Sequence, residues 1–207
     1  MILVRSAAPW LALFLIAGCS RPPQPSSSLD DFGAVGPFRL VERNGGAVGP
    51  ADLAGKVWLA SFVFTRCTGP CPQVTGTVAR LQEEIGPRPD FRLVTFTVDP
   101  DHDRPEELKE YAEHFRADPE RWLFLTGPTE EVHRIIREDF HLGVEPTQGQ
   151  ARTPGNEVVH STKLALVDRS GHIRGYFDGR QVDDEGRPVE DLPRLTRAIQ
   201  ALLGETP

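Results

Sequence analysis

Cys67 and Cys71 stand four positions apart, where a long apolar run gives way to a helix-forming segment. Two thiols at that spacing support three chemistries: a structural disulfide, disulfide exchange with a partner, or the holding of a soft metal ion. If the segment is helical the two sulfurs share a face, and a tight loop would also bring them together. A helix beginning nearby favours the thiolate, the form that attacks disulfides and binds metal. As a staple the pair is weak. A disulfide closing five residues contributes about 2 kcal/mol, against about 3 kcal/mol for a fifteen-residue loop. Metal or redox chemistry is therefore the better reading. Thiolate sulfur suits Cu(I) and zinc, and an added imidazole suits copper or zinc. No further Cys or His lies at short spacing to complete a four-coordinate structural zinc site. A low-coordinate thiolate site in an oxidising compartment leans towards copper.

The third cysteine has a different setting. Arg5 precedes an apolar stretch from Trp10 to Ala17, and Gly18 and Cys19 follow it. Such a run describes an export signal, residues 1–18, and is too short to cross about 30 Å of hydrocarbon. Ile16-Ala17-Gly18-Cys19 resembles the bacterial lipobox, in which the cysteine is acylated. A lipid on Cys19 would anchor the protein to a membrane of the bacterial cell envelope, facing the periplasm or the cell exterior. The Pro- and Ser-rich segment from Ser20 to Ser28 cannot bury apolar surface and reads as a tether. Residues 19–35 are assigned to the lipidated cysteine and its tether, and residues 36–207 to one folded domain.

Bulk composition narrows the partners. The formal net charge of −7 argues against nucleic acid, whose phosphates demand a basic face. Most of the six histidines read as ordinary. His114 and His133 fall on expected helices and read as solvated, His141 follows a helix, and His172 sits in a turn. His102, within Asp101-His102-Asp103, reads as part of a charged loop just past a strand end. By itself His160 reads as a polar residue leading into a strand.

The elements that must position these residues are marked by apolar runs and breakers. Phe38–Val41 and Asn44-Gly45-Gly46 suggest a strand turning into a hairpin. Val57–Phe64 is almost wholly apolar, which suits a strand covered on both faces. A helix from Pro72 to Ile85, a strand Phe91–Val98, a helix Pro105–Phe115 and a strand Trp122–Thr126 follow. Next comes a helix from Thr129, as its cap, to Phe140. The stretch from Gly143 to Glu157 reads as loose and delivers Val158-Val159-His160. Strands Lys163–Val167 and Ile173–Phe177 flank a turn at Asp168–His172, and a helix from Glu190 to Leu203 closes the chain. This order predicts an α/β fold with a central mixed sheet, helices on both faces and an added N-terminal hairpin.

Three motifs in order carry a resemblance. Phe64-Thr65-Arg66-Cys67-Thr68-Gly69-Pro70-Cys71-Pro72, Val98-Asp99-Pro100-Asp101-His102-Asp103 and Val159-His160-Ser161 resemble the Sco/SenC family of copper chaperones. Asp52–Lys56 ahead of the strand matches too, and the likeness runs from about Gly36 to the C-terminus. It implies a thioredoxin-like fold and copper, as Cu(I) or Cu(II), held by Cys67, Cys71 and His160. Asp99 matches an acidic position expected to support the ligands from behind. The implied role is assembly of the dinuclear copper centre of cytochrome c oxidase, with its copper-bearing subunit or another copper protein as recipient. The alternative is a membrane-anchored thiol–disulfide oxidoreductase. There Cys67 and Cys71 form the redox pair, a thioredoxin-like reductant recharges it, and His160 only tunes it. Two features depart from the family. Thr68-Gly69-Pro70 replaces the usual acidic insert between the cysteines, and Arg66 adds a charge that favours thiolate if it points inward.

Overall fold

The computed structural model describes residues 29–183, 185–187 and 191–204. The expected export signal, Cys19 and the tether up to Ser28 lie outside the described residues. In chain order the elements are β1 (Leu40–Glu42), β2 (Ala47–Val48), α1 (Pro50–Leu53), β3 (Val57–Val63) and α2 (Cys71–Ile85). Then come β4 (Phe91–Thr97), α3 (Pro105–His114), β5 (Trp122–Thr126), α4 (Thr129–Arg134) and β6 (Val144–Pro146). β7 (Val158–His160), β8 (Lys163–Val167), β9 (Ile173–Asp178) and α5 (Asp191–Gly204) complete it.

Seven strands form one sheet in the order β2-β1-β5-β4-β3-β8-β9. β3, β4 and β5 run parallel, while β1 and β8 join them antiparallel, so the sheet is mixed as expected. β3 lies inside and is buried at every position, which is why its sequence is apolar on both alternations. The β1–β2 hairpin turns at Gly45, whose φ of +88° suits a residue without a Cβ.

Register decides what each face carries. Phe62 stands beside Phe96, and Phe140 packs edge-on against both rings at 5.0 and 5.6 Å. Ser61 stands beside Thr95 on the opposite face, with their hydroxyls 2.8 Å apart. On that second face Trp122 Nε1 donates to Thr95 Oγ1, and Tyr111 of α3 packs on Phe124. Thr75 of α2 hydrogen-bonds Tyr111, and α5 packs against α2. Helices thus cover both faces, with α2, α3 and α5 on one and the α4 segment on the other.

Several expectations change. The helix from Thr129 to Phe140 is α4 followed by a π-helical turn at Ile135–Asp139, whose wider winding delivers Phe140 to the core. Pro128, not Thr129, occupies the cap position, and Thr129 Oγ1 instead donates to Asp101 Oδ1 at 2.7 Å. His133 is buried rather than solvated, with Nε2 2.9 Å from the Val98 carbonyl at the end of β4. The segment from Gly143 to Glu157 contains a strand, β6, which pairs with β7 in a separate two-stranded ribbon. Pro146 and the exposed Glu145 hide that strand in the sequence.

Residues 29–35, assigned with the tether on sequence, run along the β8–β9 turn. Phe32 N donates to Ile173 O, Val35 N to Gly171 O, and Ala34 bridges His172. β8 is antiparallel to β3, with Val167 beside Trp58, so this turn lies where β3 begins. The chain therefore enters the domain at the pole opposite the cysteine loop. Among the described residues no helix is long and apolar enough to cross a membrane.

Candidate metal centre

β3 ends at Val63, and the chain turns through Cys67 before Cys71 opens α2. The exit is pinned by Asp103, which is fully buried. Its carboxylate accepts hydrogen bonds from Thr65 N at 3.0 Å, Thr65 Oγ1 at 2.5 Å and Thr97 Oγ1 at 2.6 Å. Asp99, His102 and Asp103 place one ligand atom each within 4.8 Å of one another. Those donors, with His102 Nδ1 at 3.0 Å, occupy both Asp103 oxygens, so the trio is a brace for the loop. No signal in the sequence distinguishes Asp103 from its exposed neighbour Asp101.

Cys71 is buried at the start of α2, and Cys67 is half-buried in the loop before it; both are free. His160, the last residue of β7, stands over them with Nε2 3.3 Å from Cys71 Sγ. Its Nδ1 lies 2.9 Å from the Ser161 carbonyl. A carbonyl only accepts, so Nδ1 donates to it and Nε2 is the ring nitrogen presented to the sulfurs. Phe64 closes one side of the ring at 5.8 Å, edge to face.

The two thiols are driven apart. A hydrogen bond from the Cys71 thiol, helped by His160 and the amides of Cys71 and Gly69, pulls Cys67 down to about 4. Cys71 is pushed upward, first by the same hydrogen bond and then by burial. The pair titrates as a unit and keeps its shared proton on Cys71. A nucleophilic, half-exposed thiolate and an imidazole nitrogen therefore border one cleft of about 360 Å³, rimmed by Thr68, Pro70 and Val158. A larger cavity of about 650 Å³, between Arg43 and α3, is lined by neither Cys nor His.

A sequence model of the SCO1/SenC family matches residues 27–196. The SCO1 protein homolog of Bacillus subtilis is 31% identical over 160 residues, covering 76% of this chain and 78% of its own. The chain belongs to the SCO1/SenC family. A crystal structure of a SCO1/SenC family lipoprotein from Bacillus anthracis is 29% identical with a TM-score of 0.70, covering 84% of this chain and 97% of that one. The structure of Bradyrhizobium japonicum ScoI with copper bound is 26% identical with a TM-score of 0.63, covering 78% and 99%. The fold is thus the thioredoxin-like one that the motifs imply.

Within this SCO1/SenC domain the sequence-predicted residues take different places. Cys67, Cys71 and His160 converge. Asp99 bonds neither the cysteines nor His160 among its described contacts; its Oδ2 holds Arg66 Nη2 at 2.5 Å. Arg66 does not point at Cys67. It pairs with Asp99 and with Glu157, whose Oε1 is 3.3 Å from Nη1, so its charge is taken up by carboxylates. The insert Thr68-Gly69-Pro70 docks on the loop ahead of β7 through Thr68 N, which donates to Gly155 O at 3.3 Å. Of the remaining histidines, His114 and His141 are exposed and His172 pairs with Asp31.

Proposed function

We propose that this SCO1/SenC protein is a copper-binding metallochaperone that helps assemble the dinuclear copper centre of cytochrome c oxidase. Cys67, Cys71 and His160 are its copper ligands. One observation carries the reading: His160 Nε2 is held 3.3 Å from Cys71 Sγ, above the free Cys67–Cys71 pair. Two sulfurs and one imidazole form a donor set that suits copper. Copper is the cargo here. The open cleft beside Cys67 leaves room for a recipient's ligand to enter before a protein ligand leaves, so transfer proceeds by stepwise exchange. The copper-bound ScoI relative supports the choice of metal. Asp99 acts indirectly, by holding Arg66 beside the cysteine loop.

The thiol pair also supports a reductase reading. The Cys67 thiolate would attack a partner's disulfide and release one partner thiolate. Cys71, losing its proton, would then attack the Cys67 sulfur and release the second, leaving a Cys67–Cys71 disulfide for a thioredoxin-like reductant to reduce. Lipidation at Cys19 would hold the protein to the envelope membrane, in keeping with the related lipoprotein of Bacillus anthracis.

The deciding measurement is Cu(I) affinity of the reduced full chain, wild type against His160→Ala. The expected loss exceeds the roughly 10–100-fold that removing an outer partner of a ligand costs. Unchanged affinity, with rapid disulfide reduction retained, would overturn the chaperone reading in favour of the reductase.

A further inference from the structure

The cation beside Cys67 joins three segments of chain. Arg66 belongs to the cysteine loop, Asp99 lies just past β4, and Glu157 stands immediately before β7, three residues ahead of His160. Arg66 reaches both carboxylates at once, Nη2 to Asp99 and Nη1 to Glu157. Glu157 is the more committed partner. Its side chain is 8% exposed, and Oε2 is buried with no hydrogen-bond partner among the described residues. A carboxylate so placed has lost most of its hydration, and its pairing with Arg66 is what offsets that cost.

The ribbon that presents His160 rests on the core through Val144 and Val158 and meets the cysteine loop at its outer end. β6 and β7 have three residues each and stand apart from the main sheet. Two such strands are not stable alone. At the ribbon's base Ser161 N donates to Gly143 O, one more rung of the pairing between β6 and β7. Its outer end leans on the cysteine loop through the Thr68–Gly155 bond and the Arg66–Glu157 pair.

We propose that Arg66 is a positioning residue whose two-armed ion pair with Asp99 and Glu157 fixes the His160 ribbon against the cysteine loop. It thereby sets how strongly the imidazole contributes to metal binding. A guanidinium does this because its planar fork spans two carboxylates, whereas a lysine ammonium offers a point charge. Arg66 acts through His160 and not through the charge of the thiols. The inference rests on the proposed ligand reading of Cys67, Cys71 and His160, and its test separates the two.

Cu(I) affinity of the reduced full chain is measured by competition with a chromophoric chelator. The proteins compared are wild type, Arg66→Met, Arg66→Lys, Glu157→Gln, His160→Ala and the Arg66→Met/His160→Ala double variant. Arg66→Met and Glu157→Gln are each expected to weaken binding about tenfold, and Arg66→Lys to recover only part. In the His160→Ala background Arg66→Met should change nothing, because the coupling runs through that imidazole. The side-chain 15N shift of His160 on adding Cu(I) should shrink in Arg66→Met. Thermal midpoints of the metal-free proteins, with the isosteric Glu157→Gln, separate lost positioning from lost folding. A His160-dependent affinity that ignores Arg66, or an Arg66→Met loss that is equal with and without His160, would overturn this inference alone. Unchanged affinity in His160→Ala would overturn the ligand reading and this inference with it.

Discussion

Cys67 and Cys71 are the same side chain four residues apart, yet their surroundings drive their thiols in opposite directions. Cys67 sits in a loop whose amides and neighbouring thiol all donate towards its sulfur, and Cys71 is sealed at the helix start. Iodoacetamide should therefore alkylate Cys67 near pH 6 and leave Cys71 unmodified, as peptide mass mapping would show. The same asymmetry sets a pH dependence. A depressed thiol contributes stability that is complete above its unfolded value of 9.0 and is lost as pH falls through about 4. Cys71, raised, contributes stability that is complete below 9.0 and is lost as pH rises beyond it. The thermal midpoint of the reduced, metal-free protein is expected to climb between about pH 4 and 9 and then fall. In Cys67→Ser the acid-side climb should flatten; a climb of equal size there would contradict the assignment.

At the scale of elements, the site is a meeting of one helix start and one small ribbon. The strand-to-helix turn delivers the cysteines, and the β6–β7 ribbon delivers His160 from 89 residues away. Their contact depends on Gly155. Its φ is +85°, and a Cβ there would come within 2.5 Å of both Thr68 Oγ1 and Cγ2. Gly155→Ala forces either the ribbon or the Thr68-Gly69-Pro70 insert to move, at a local cost of about 1–3 kcal/mol. Cu(I) affinity should fall further in this variant than the loss of global stability accounts for. Gly155→Ala with Thr68→Gly should regain part of the affinity, since it removes the clash but not the backbone strain. Chelator competition alongside urea unfolding of the same samples makes the comparison.

For the whole molecule, the two ends of the domain are built differently. Residues 29–35 join it beside the β8–β9 turn, and the cysteine loop lies at the other pole. The proposed copper site thus lies at the pole away from where residues 29–35 join the domain. The body between them is filled by aromatic packing, with Phe62, Phe96 and Phe140 on one face of the sheet and Trp122 and Phe124 on the other. Metal that binds only the folded chain must stabilise all of it. At a free Cu(I) concentration 100 times Kd the gain is about 2.7 kcal/mol, which raises the thermal midpoint of a domain this size by roughly 5–10 °C. Calorimetry should find that rise in wild type and lose it in Cys71→Ser.

Local pattern alone determined β3, β4, β5 and the helices α2, α3 and α5 to within a residue or two, because apolar runs, prolines and glycines act on their immediate neighbours. The cysteine pair at a strand-to-helix turn was legible for the same reason, and the motif order identified the family. What the tertiary structure decided were relations between distant segments. His133 looks like a surface helix residue until the sheet brings the Val98 carbonyl to it. Arg66 looks like a charge for Cys67 until Asp99 and Glu157 arrive from two other loops and claim it. His160 is a plain polar residue in a strand until a ribbon too short and too polar to show in the sequence sets it above Cys71. Burial and ion-pair choice depend on which segments the strand order places together, and no window of neighbouring residues contains that information.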